Sequence, residues 1–458
     1  MNINNQNNKG TVWGRRSTFV LAATGSAVGL GNIWKFPYVV GENGGGAFVL
    51  MYLVFIVLIG VPIMMAEVTL GRHGRTNPIH AVAKIVREGG ASPFWKLIGW
   101  SGVLAGFLIL SFYSVIAGWT LDYFSASANG QFVGLTGEGS GAAFERLLAS
   151  PWRLAAWHSA FMGMTVVVVG LGVIRGLEVG LRLIMPLLFV LLLMLLGYAA
   201  SVGDFGAAWR FMFVFNPAGL SWGGASVALG HAFFTLSLAM GAMMAYGSYM
   251  PGGDSIGKMV FTVAALDTVV ALIAGLAIFP IVFATPGLSA GEGPGLIFVS
   301  LPVAFGAMPA GVVFGTVFFA LMVLAAWSST ISLLEPAVAY VTERFNVSRA
   351  RANALIAGGA WLLGVGSVLS FNAWKDVSVL LGMNVFGFLD FFTQRVMLPL
   401  GGLLLAVFVG WVVRRELLHH EMKPRSEMLF STWLWLLKYL CPAALLAILL
   451  AGVWDQFS

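Results

Sequence analysis

Long apolar stretches alternate with short polar or glycine-rich segments along almost the whole chain. The hydrocarbon core of a bilayer is about 30 Å thick, and a helix of about 20 mainly apolar residues crosses it. The pattern therefore predicts eleven membrane-spanning helices. Their expected bounds are 18–38, 46–70, 97–124, 157–174, 181–201, 225–249, 259–284, 309–342, 351–371, 388–413 and 432–454.

The composition agrees with a membrane protein. Of the 458 residues, 59% are hydrophobic and only 10% are charged, whereas about a quarter of the residues in a soluble domain are charged. Charged side chains are scarce because charge inside the hydrocarbon core is unfavourable. These values exclude an ordinary soluble protein. The single cysteine, Cys441, excludes a disulfide framework and a cysteine-ligated metal site.

The net charge of +6 has a topological explanation. Most lysines and arginines lie in the loops on one side of the predicted bundle, and the opposite side carries only Arg146, Arg153, Arg210 and Lys375. Positively charged loops stay in the cytoplasm. Residues 1–17 are therefore predicted to form a cytoplasmic tail, and the C-terminus is predicted to lie outside. The charge gives no reason to expect a nucleic-acid partner.

The first and sixth predicted spans contain residues that weaken a helix at mid-membrane. Three glycines precede Asn32 in the first span, and Gly230 and Gly241 flank Thr235 in the sixth. A glycine in a helix interior costs about 1 kcal/mol relative to alanine. Close helix packing through glycine is one explanation, and an interruption of the helix is the other.

Interrupted helices at matching positions of two halves are typical of the central site of secondary transporters that are built as inverted repeats. The first and sixth spans begin five spans apart and enter from opposite faces. We therefore expect one repeat at 18–205, a second at 225–413 and a last helix at 432–454.

Two segments near the N-terminus carry a family resemblance. They are GSAVGLGNIWKFP at 25–37 and ENGGGAF at 42–48, and FFTLS at 233–237 and SST at 328–330 match the same pattern. On these motifs the chain resembles the neurotransmitter:sodium symporter family, and within it the bacterial amino-acid branch. The resemblance implies an all-α polytopic membrane protein with the leucine-transporter-type fold and broken helices 1 and 6. It also implies sodium-coupled symport of neutral, hydrophobic L-amino acids across a bacterial inner membrane.

Two sodium sites are implied by the resemblance. The first would use Ala27, Asn32, Thr235 and Asp267, and the second would use Gly25, Val28, Ala325, Ser328 and Ser329. Carbonyl, hydroxyl and carboxylate oxygens are suitable ligands for a hard cation. A structural polar contact is the alternative role for an ionisable residue such as Asp267 inside a span.

The carboxylate of Asp267 also bears on chloride. Chloride-dependent relatives carry a serine where this chain has Ala271, and a carboxylate at the first sodium site would supply the negative charge that chloride brings. Chloride-independent transport is therefore predicted. A proton-carrying role of Asp267 on the return step is a further hypothesis.

The substrate would bind beside the first sodium ion. By the resemblance, its carboxylate meets Leu30, Gly31 and Tyr113, and its ammonium group meets Ala27, Phe234 and Ser237. Gly29, where monoamine carriers have an aspartate, favours a substrate with its own carboxylate. The residues expected around the substrate side chain and at the border with the sodium sites are Ile109, Phe234, Met240, Ser332 and Leu333, with Thr235 and Ser329.

Gates are implied on both sides of this site. Lys35 and Asp390 would form the outer gate, with Tyr113 and Phe234 as a lid. Trp13, Tyr249 and Glu343 match the inner gate of the family. The basic residue that completes this gate in the family corresponds to Gly10 here, which is not a cation, and the adjacent Lys9 is the candidate to replace it. Gly176 and Pro186 resemble a motif at which the fifth span unwinds, and a static proline kink is the alternative.

One short motif in the chain is also typical of a hydrolase. The run GLSWG at 219–223 matches G-x-S-x-G, but it precedes a membrane helix and lacks the strand–turn–helix setting of a hydrolase. No enzyme is therefore predicted. A sodium-coupled carrier of another small carboxylate-bearing osmolyte and a non-transporting amino-acid sensor stay open as alternatives. Glu67 and Glu335 are expected to be structural or gating residues, and His231 a hydrogen-bonded interior residue. The sequence does not predict an oligomeric state.

Overall fold

The computed structural model describes residues 16–291, 293 and 295–457. In these residues the regular elements are helices. In chain order they are α1 (Arg16–Ala27), α2 (Phe36–Glu42), α3 (Gly46–Gly74), α4 (Pro78–Gly89), α5 (Pro93–Ala128), α6 (Gly137–Leu148), α7 (Pro151–Gly170), α8 (Gly176–Val202), α9 (Phe205–Phe213), α10 (Trp222–Thr235), α11 (Ala242–Tyr249), α12 (Ile256–Ala284), α13 (Leu296–Ala307), α14 (Gly311–Phe345), α15 (Arg349–Leu369), α16 (Val385–Val412), α17 (Arg415–Met422) and α18 (Glu427–Gly452).

Nine helices of the described ranges are long and apolar enough to cross a membrane, namely α3, α5, α7, α8, α12, α14, α15, α16 and α18. They coincide with nine of the eleven predicted spans. The other two predicted spans fall where a regular helix stops. In the first, α1 ends at Ala27 and a π-helical turn, Gly31–Lys35, precedes α2. In the sixth, α10 ends at Thr235 and α11 begins at Ala242.

The segment between α10 and α11 has an unusual backbone. Ser237, Ala239 and Gly241 have φ angles of 53°, 60° and 76°. This left-handed region costs a residue with a side chain about 1 kcal/mol or more. Glu67, which is buried on α3, supports the segment because its Oε1 accepts a hydrogen bond of 2.6 Å from the amide of Ala239. The structural role expected for Glu67 is therefore a contact with this non-helical segment.

The centre of the bundle is formed by α5 and α14, which pack along each other and are buried over most of their length. The short helix α1 packs against α8, α12 and α14. The outer helices α8 and α18 expose apolar side chains such as Leu183 and Leu450, which suits contact with lipid. This arrangement places the interrupted ends of α1 and α10 in the interior, beside α5 and α14.

Candidate functional site

A small cavity lies where α1 and α10 end, between α5 and α14. Its water-accessible volume is about 20 Å³. The residues that line it are Ser26, Ala27, Gly29, Gly31, Ile109, Tyr113, Phe234, Ser237, Met240, Ser329 and Leu333. The predicted substrate residues Leu30, Thr235 and Ser332 do not line it, whereas Ser26 and Gly29 do.

Polar atoms converge at one end of the cavity. The amide of Leu30, just beyond the end of α1, donates a hydrogen bond of 3.1 Å to the hydroxyl of Tyr113. A Cβ atom on Gly29 would lie 2.2 Å from Ser329 Oγ and 3.1 Å from Tyr113 Oη. A side chain at position 29 would therefore displace the hydroxyl of Ser329. The amide of Leu30 at the start of the helical turn Gly31–Lys35, a tyrosyl hydroxyl and a seryl hydroxyl together suit an anionic group, because the N-terminal end of a helix carries partial positive charge.

The remaining wall of the cavity is mostly apolar, with Ile109 from α5, Leu333 from α14 and Met240 from the non-helical segment. Ser237 Oγ donates a hydrogen bond of 2.8 Å to the carbonyl of Ser26. This bond joins the segment after α10 to α1.

Ser332 is directed elsewhere. Its hydroxyl lies 2.7 Å from the hydroxyl of Tyr246, and it donates to the carbonyl of Ser328 at 3.0 Å. Ser332 lies one helical turn beyond Ser328, and its hydroxyl is directed to Tyr246 on α11. Its place in the substrate pocket therefore stays a prediction.

Three of the residues predicted for the first sodium site come together beside the cavity. Asn32 Nδ2 donates to the carbonyl of Asp267 at 3.1 Å and to its Oδ1 at 2.7 Å. Thr235 Oγ1 donates to the same carboxylate at 3.1–3.2 Å. Asn32 Oδ1 accepts from the amide of Gly29 at 3.0 Å. Ala27, the fourth predicted ligand, is the last residue of α1.

This cluster lacks a compensating positive charge in the described part of the chain. Asp267 and Asn32 are completely buried, and the hydrogen-bond partners of the Asp267 carboxylate are the neutral Asn32 and Thr235. A buried carboxylate is costly unless it is paired with a cation. The oxygen atoms of this cluster are therefore suited to hold one.

The residues predicted for the second sodium site are only partly together. Ser328 Oγ donates to the carbonyls of Ala325, at 2.9 Å, and Val28, at 3.3 Å, and so ties α14 to the end of α1. Gly25 contacts α8, where a Cβ atom would lie 3.0 Å from Met185 Sδ. The hydroxyl of Ser329 lies on the cavity side, close to Gly29.

At the outer end, the predicted gate residues are connected through a residue that sequence reasoning missed. Lys35 Nζ donates to Gln394 Oε1, and Gln394 Nε2 donates to Asp390 Oδ1. Lys35 Nζ also lies 4.8 Å from the centre of the Phe234 ring. The signal for Gln394 was its position four residues after Asp390, one helical turn along the same helix.

The inner gate residues divide into two groups. Tyr249 donates to Glu335 Oε1 at 2.7 Å, and Arg349 donates to both oxygens of Glu335. Glu343 instead accepts hydrogen bonds from Thr76 and Asn77. Tyr249 is therefore joined to Glu335. Trp13, Gly10 and Lys9 lie outside the described residues.

The fifth predicted span is irregular at its start. Gly176 lies in a π-helical turn, Val173–Glu178, where a Cβ atom would approach the carbonyl of Val168 to 1.9 Å. Pro186 lies inside the continuous helix that follows. The two residues are therefore on one element, with the irregularity at Gly176.

Two other predictions have structural outcomes. Ser221 of the G-x-S-x-G run accepts a hydrogen bond of 2.9 Å from the amide of Gly224 and so caps the N-terminus of α10. His231 is buried, as expected, but neither ring nitrogen has a hydrogen-bond partner in the described ranges. Its ring packs instead against Phe36 and Tyr52, with centroid distances of 5.8 and 5.4 Å.

A bundle of membrane-crossing helices whose interrupted segments meet at a small, polar-ended cavity is typical of membrane transporters of small solutes. Comparison with known proteins agrees. A model of the sodium:neurotransmitter symporter family matches residues 10–133 and 147–457. The chain therefore belongs to the sodium:neurotransmitter symporter family and is a sodium-dependent membrane transporter, not an enzyme.

Individual relatives cover almost the entire chain. An uncharacterized sodium-dependent transporter of Bacillus subtilis, YhdH, is 37% identical over 96% of this chain and 96% of its own length. A Haemophilus influenzae sodium-dependent transporter is 30% identical over 99% of this chain and all of its own length. The crystal structure of MhsT in complex with L-phenylalanine has a TM-score of 0.89 and 42% identity, and the match covers 96% of this chain and 99% of MhsT.

Proposed function

We propose that this protein is a sodium-coupled symporter of neutral, hydrophobic L-amino acids that works by alternating access. The observation that carries the proposal is one cavity with an anion-binding end and an apolar wall, beside the buried carboxylate of Asp267. The complex of MhsT with L-phenylalanine supports this substrate class.

The proposed topology has eleven crossings. Nine are the long helices, and the other two are the interrupted pairs, α1 with α2 and α10 with α11. The repeats comprise 18–205 and 225–413, and 432–454 is a last helix outside them. The distribution of Lys and Arg supports a cytoplasmic N-terminus and an external C-terminus in a bacterial inner membrane.

In this proposal the amino-acid carboxylate binds the amides of Leu30 and Gly31 and the hydroxyl of Tyr113. The ammonium group binds the carbonyls of Ala27 and Phe234, and the hydroxyl of Ser237 accepts from it. The side chain then lies against the apolar wall. Because the free volume is about 20 Å³, binding requires side chains to move, and Met240 is the most adaptable of them.

Two sodium ions complete the proposed site. One binds among Ala27, Asn32, Thr235 and Asp267, where it neutralises the buried carboxylate and attracts the substrate carboxylate. The other binds among the oxygens of Gly25, Val28, Ala325, Ser328 and Ser329, between α1 and α14. Since Asp267 already contributes a negative charge, transport is proposed to be independent of chloride.

Opening and closing would use the two ends of the bundle in turn. Lys35, Gln394 and Asp390 close the outer side above Phe234, and Glu335, Arg349 and Tyr249 close the inner side. Release of the second sodium ion would follow unwinding of α8 near Gly176. The apolar wall of the cavity disfavours a small polar osmolyte.

Equilibrium binding to the purified protein tests this proposal. L-Phenylalanine and L-leucine should bind in sodium chloride and equally in sodium gluconate, and should not bind in potassium or choline chloride. Dopamine, which lacks a carboxylate, should not compete. Binding that needs chloride would contradict the proposed role of Asp267, and binding that needs no sodium would contradict coupling altogether.

A further inference from the structure

We propose that Gln394 is a positioning residue that closes the outer gate by bridging Lys35 and Asp390. This inference rests on the proposed function, in which these two charges form the gate. The contacts run from Lys35 to Gln394 and from Gln394 to Asp390. In the described residues no nitrogen–oxygen contact of 4.0 Å or less joins Lys35 directly to Asp390.

The side-chain amide of Gln394 matches both of its neighbours. A lysine ammonium group only donates hydrogen bonds, and an ionised aspartate only accepts them. The amide oxygen therefore belongs on the side of Lys35, and the amide NH₂ group on the side of Asp390. Both hydrogen bonds are assisted by charge, which makes them stronger than bonds between neutral groups. A side chain without both an acceptor and a donor cannot hold the two charges together.

The bridge also fixes the lid of the cavity. Lys35 Nζ lies 4.8 Å from the centre of the Phe234 ring, a distance at which a cation and an aromatic face attract each other. Phe234 lines the substrate cavity. Holding the ammonium group over this ring therefore links α16 to the wall of the cavity. Loss of the bridge would release Lys35 and Phe234 together.

Lys35 and Gln394 both lie on irregular helical turns. Lys35 ends the π-helical turn Gly31–Lys35, and Gln394 lies in a second one, Phe392–Met397. Such turns are frequent at functional sites because they place a side chain where a regular helix would not. The two turns face each other at the outer end of the cavity.

The test measures how accessible the cavity is from outside. Cys441 is the single cysteine, so Cys441→Ala removes every native thiol, and Ile109→Cys then places one reporter in the cavity. The rate of labelling by a membrane-impermeant thiol reagent is measured in sodium-free choline medium, without substrate. Gln394→Leu should label about tenfold faster than the parent. Gln131→Leu, a change at an exposed glutamine, should label at the parent rate.

Two further variants separate positioning from a general structural effect. Gln394→Glu should also label faster than the parent, because a carboxylate keeps the contact with Lys35 but repels Asp390. This variant replaces Gln394→Leu in the test if Gln394→Leu does not fold. In a Lys35→Met background the effect of Gln394→Leu should disappear, since the bridge has then already lost one end. The inference would be overturned if both Gln394 variants were labelled at the parent rate. It would also be overturned if Gln394→Leu accelerated labelling equally in the Lys35→Met background. These rates need no substrate, so their outcome is independent of whether wild-type protein binds amino acids.

Discussion

Asn32 and Asp267 are joined by two hydrogen bonds, from Asn32 Nδ2 to the backbone oxygen of Asp267 at 3.1 Å and to its carboxylate at 2.7 Å. The pair connects the segment after α1 to α12 next to the cavity. Because Asn32 also accepts from the amide of Gly29, its side chain fixes the backbone that faces the substrate. A change at the carboxylate is therefore transmitted to the substrate site.

Replacement of the Asp267 carboxylate should weaken sodium coupling. Asp267→Asn keeps the shape and removes the charge, so the sodium concentration for half-maximal uptake should rise about tenfold, equivalent to about 1.4 kcal/mol. Chloride should then stimulate uptake. The exposed Asp376 provides the control, Asp376→Asn. An unchanged sodium dependence in Asp267→Asn would rule out the assignment of this residue to the first sodium site.

A side chain at position 29 should block the substrate site. Gly29→Ala places a Cβ atom 2.2 Å from Ser329 Oγ, so amino-acid binding should fall at least tenfold while the protein still folds. Gly230→Ala on α10 is the matched control, because no atom lies within 4 Å of its Cβ position. Calorimetric titration with L-phenylalanine measures the affinity of each variant. Equal affinities in the two variants would mean that the substrate does not bind beside Gly29.

Removal of the partner of a buried carboxylate should destabilise the inner side. Glu335 is fully buried, and Arg349 donates to both of its oxygens. Arg349→Ala leaves this charge unpaired, which typically costs about 3–5 kcal/mol, so the apparent melting temperature should fall by several degrees. Arg351→Ala, two residues along the same helix and exposed, should melt like the wild type. A normal melting temperature for Arg349→Ala would show that the pair is dispensable.

The short helix α17 should be held by an interaction that is lost in acid. The hydrogen bond from His73, and then the charge of Arg72, lower the pKa of Glu421 from its ordinary value of 4.5 to about 2. A lowered pKa stabilises the folded protein above pH 4.5, and this contribution is lost as the pH falls towards 2. The apparent melting temperature of the wild type should therefore fall more steeply in this range than that of Glu421→Gln.

At neutral pH, Glu421→Gln should melt below the wild type, because the wild type then has the full contribution of the carboxylate. Glu416→Gln, at an exposed position of the same helix, is the control and should follow the wild-type profile. Identical profiles for wild type and Glu421→Gln would mean that the carboxylate does not hold α17.

Much of the fold followed from hydrophobic length alone, since nine of the apolar stretches became long helices at the expected places. The glycines around Asn32 and Thr235 lie close to the ends of α1 and α10, although the pattern alone did not separate an interruption from close helix packing. Contacts between distant helices were less accessible to sequence reasoning. Arg349 looked like one of many cytoplasmic positive charges, and only the packing of α15 brings it to Glu335.

The orientation of a side chain around a helix explains the other differences between the sequence predictions and the structure. Ser332 shares a helix with the cavity residues Ser329 and Leu333, but it faces Tyr246. Gln394 has no charge and no family motif to mark it, and its role depends on how α16 approaches Lys35. The position of a residue along a membrane helix can be predicted from the apolar pattern of the sequence. Its partner on a neighbouring helix, in contrast, depends on tertiary packing.

Uptake into proteoliposomes tests the central claim most directly. Labelled L-phenylalanine would be offered under an inward sodium, potassium or choline gradient, with chloride or gluconate outside. We predict accumulation above the external concentration with sodium alone, to the same level in chloride and gluconate. Equal uptake under all three cations, or none with sodium for any neutral amino acid tested, would contradict sodium-coupled amino-acid symport by this protein.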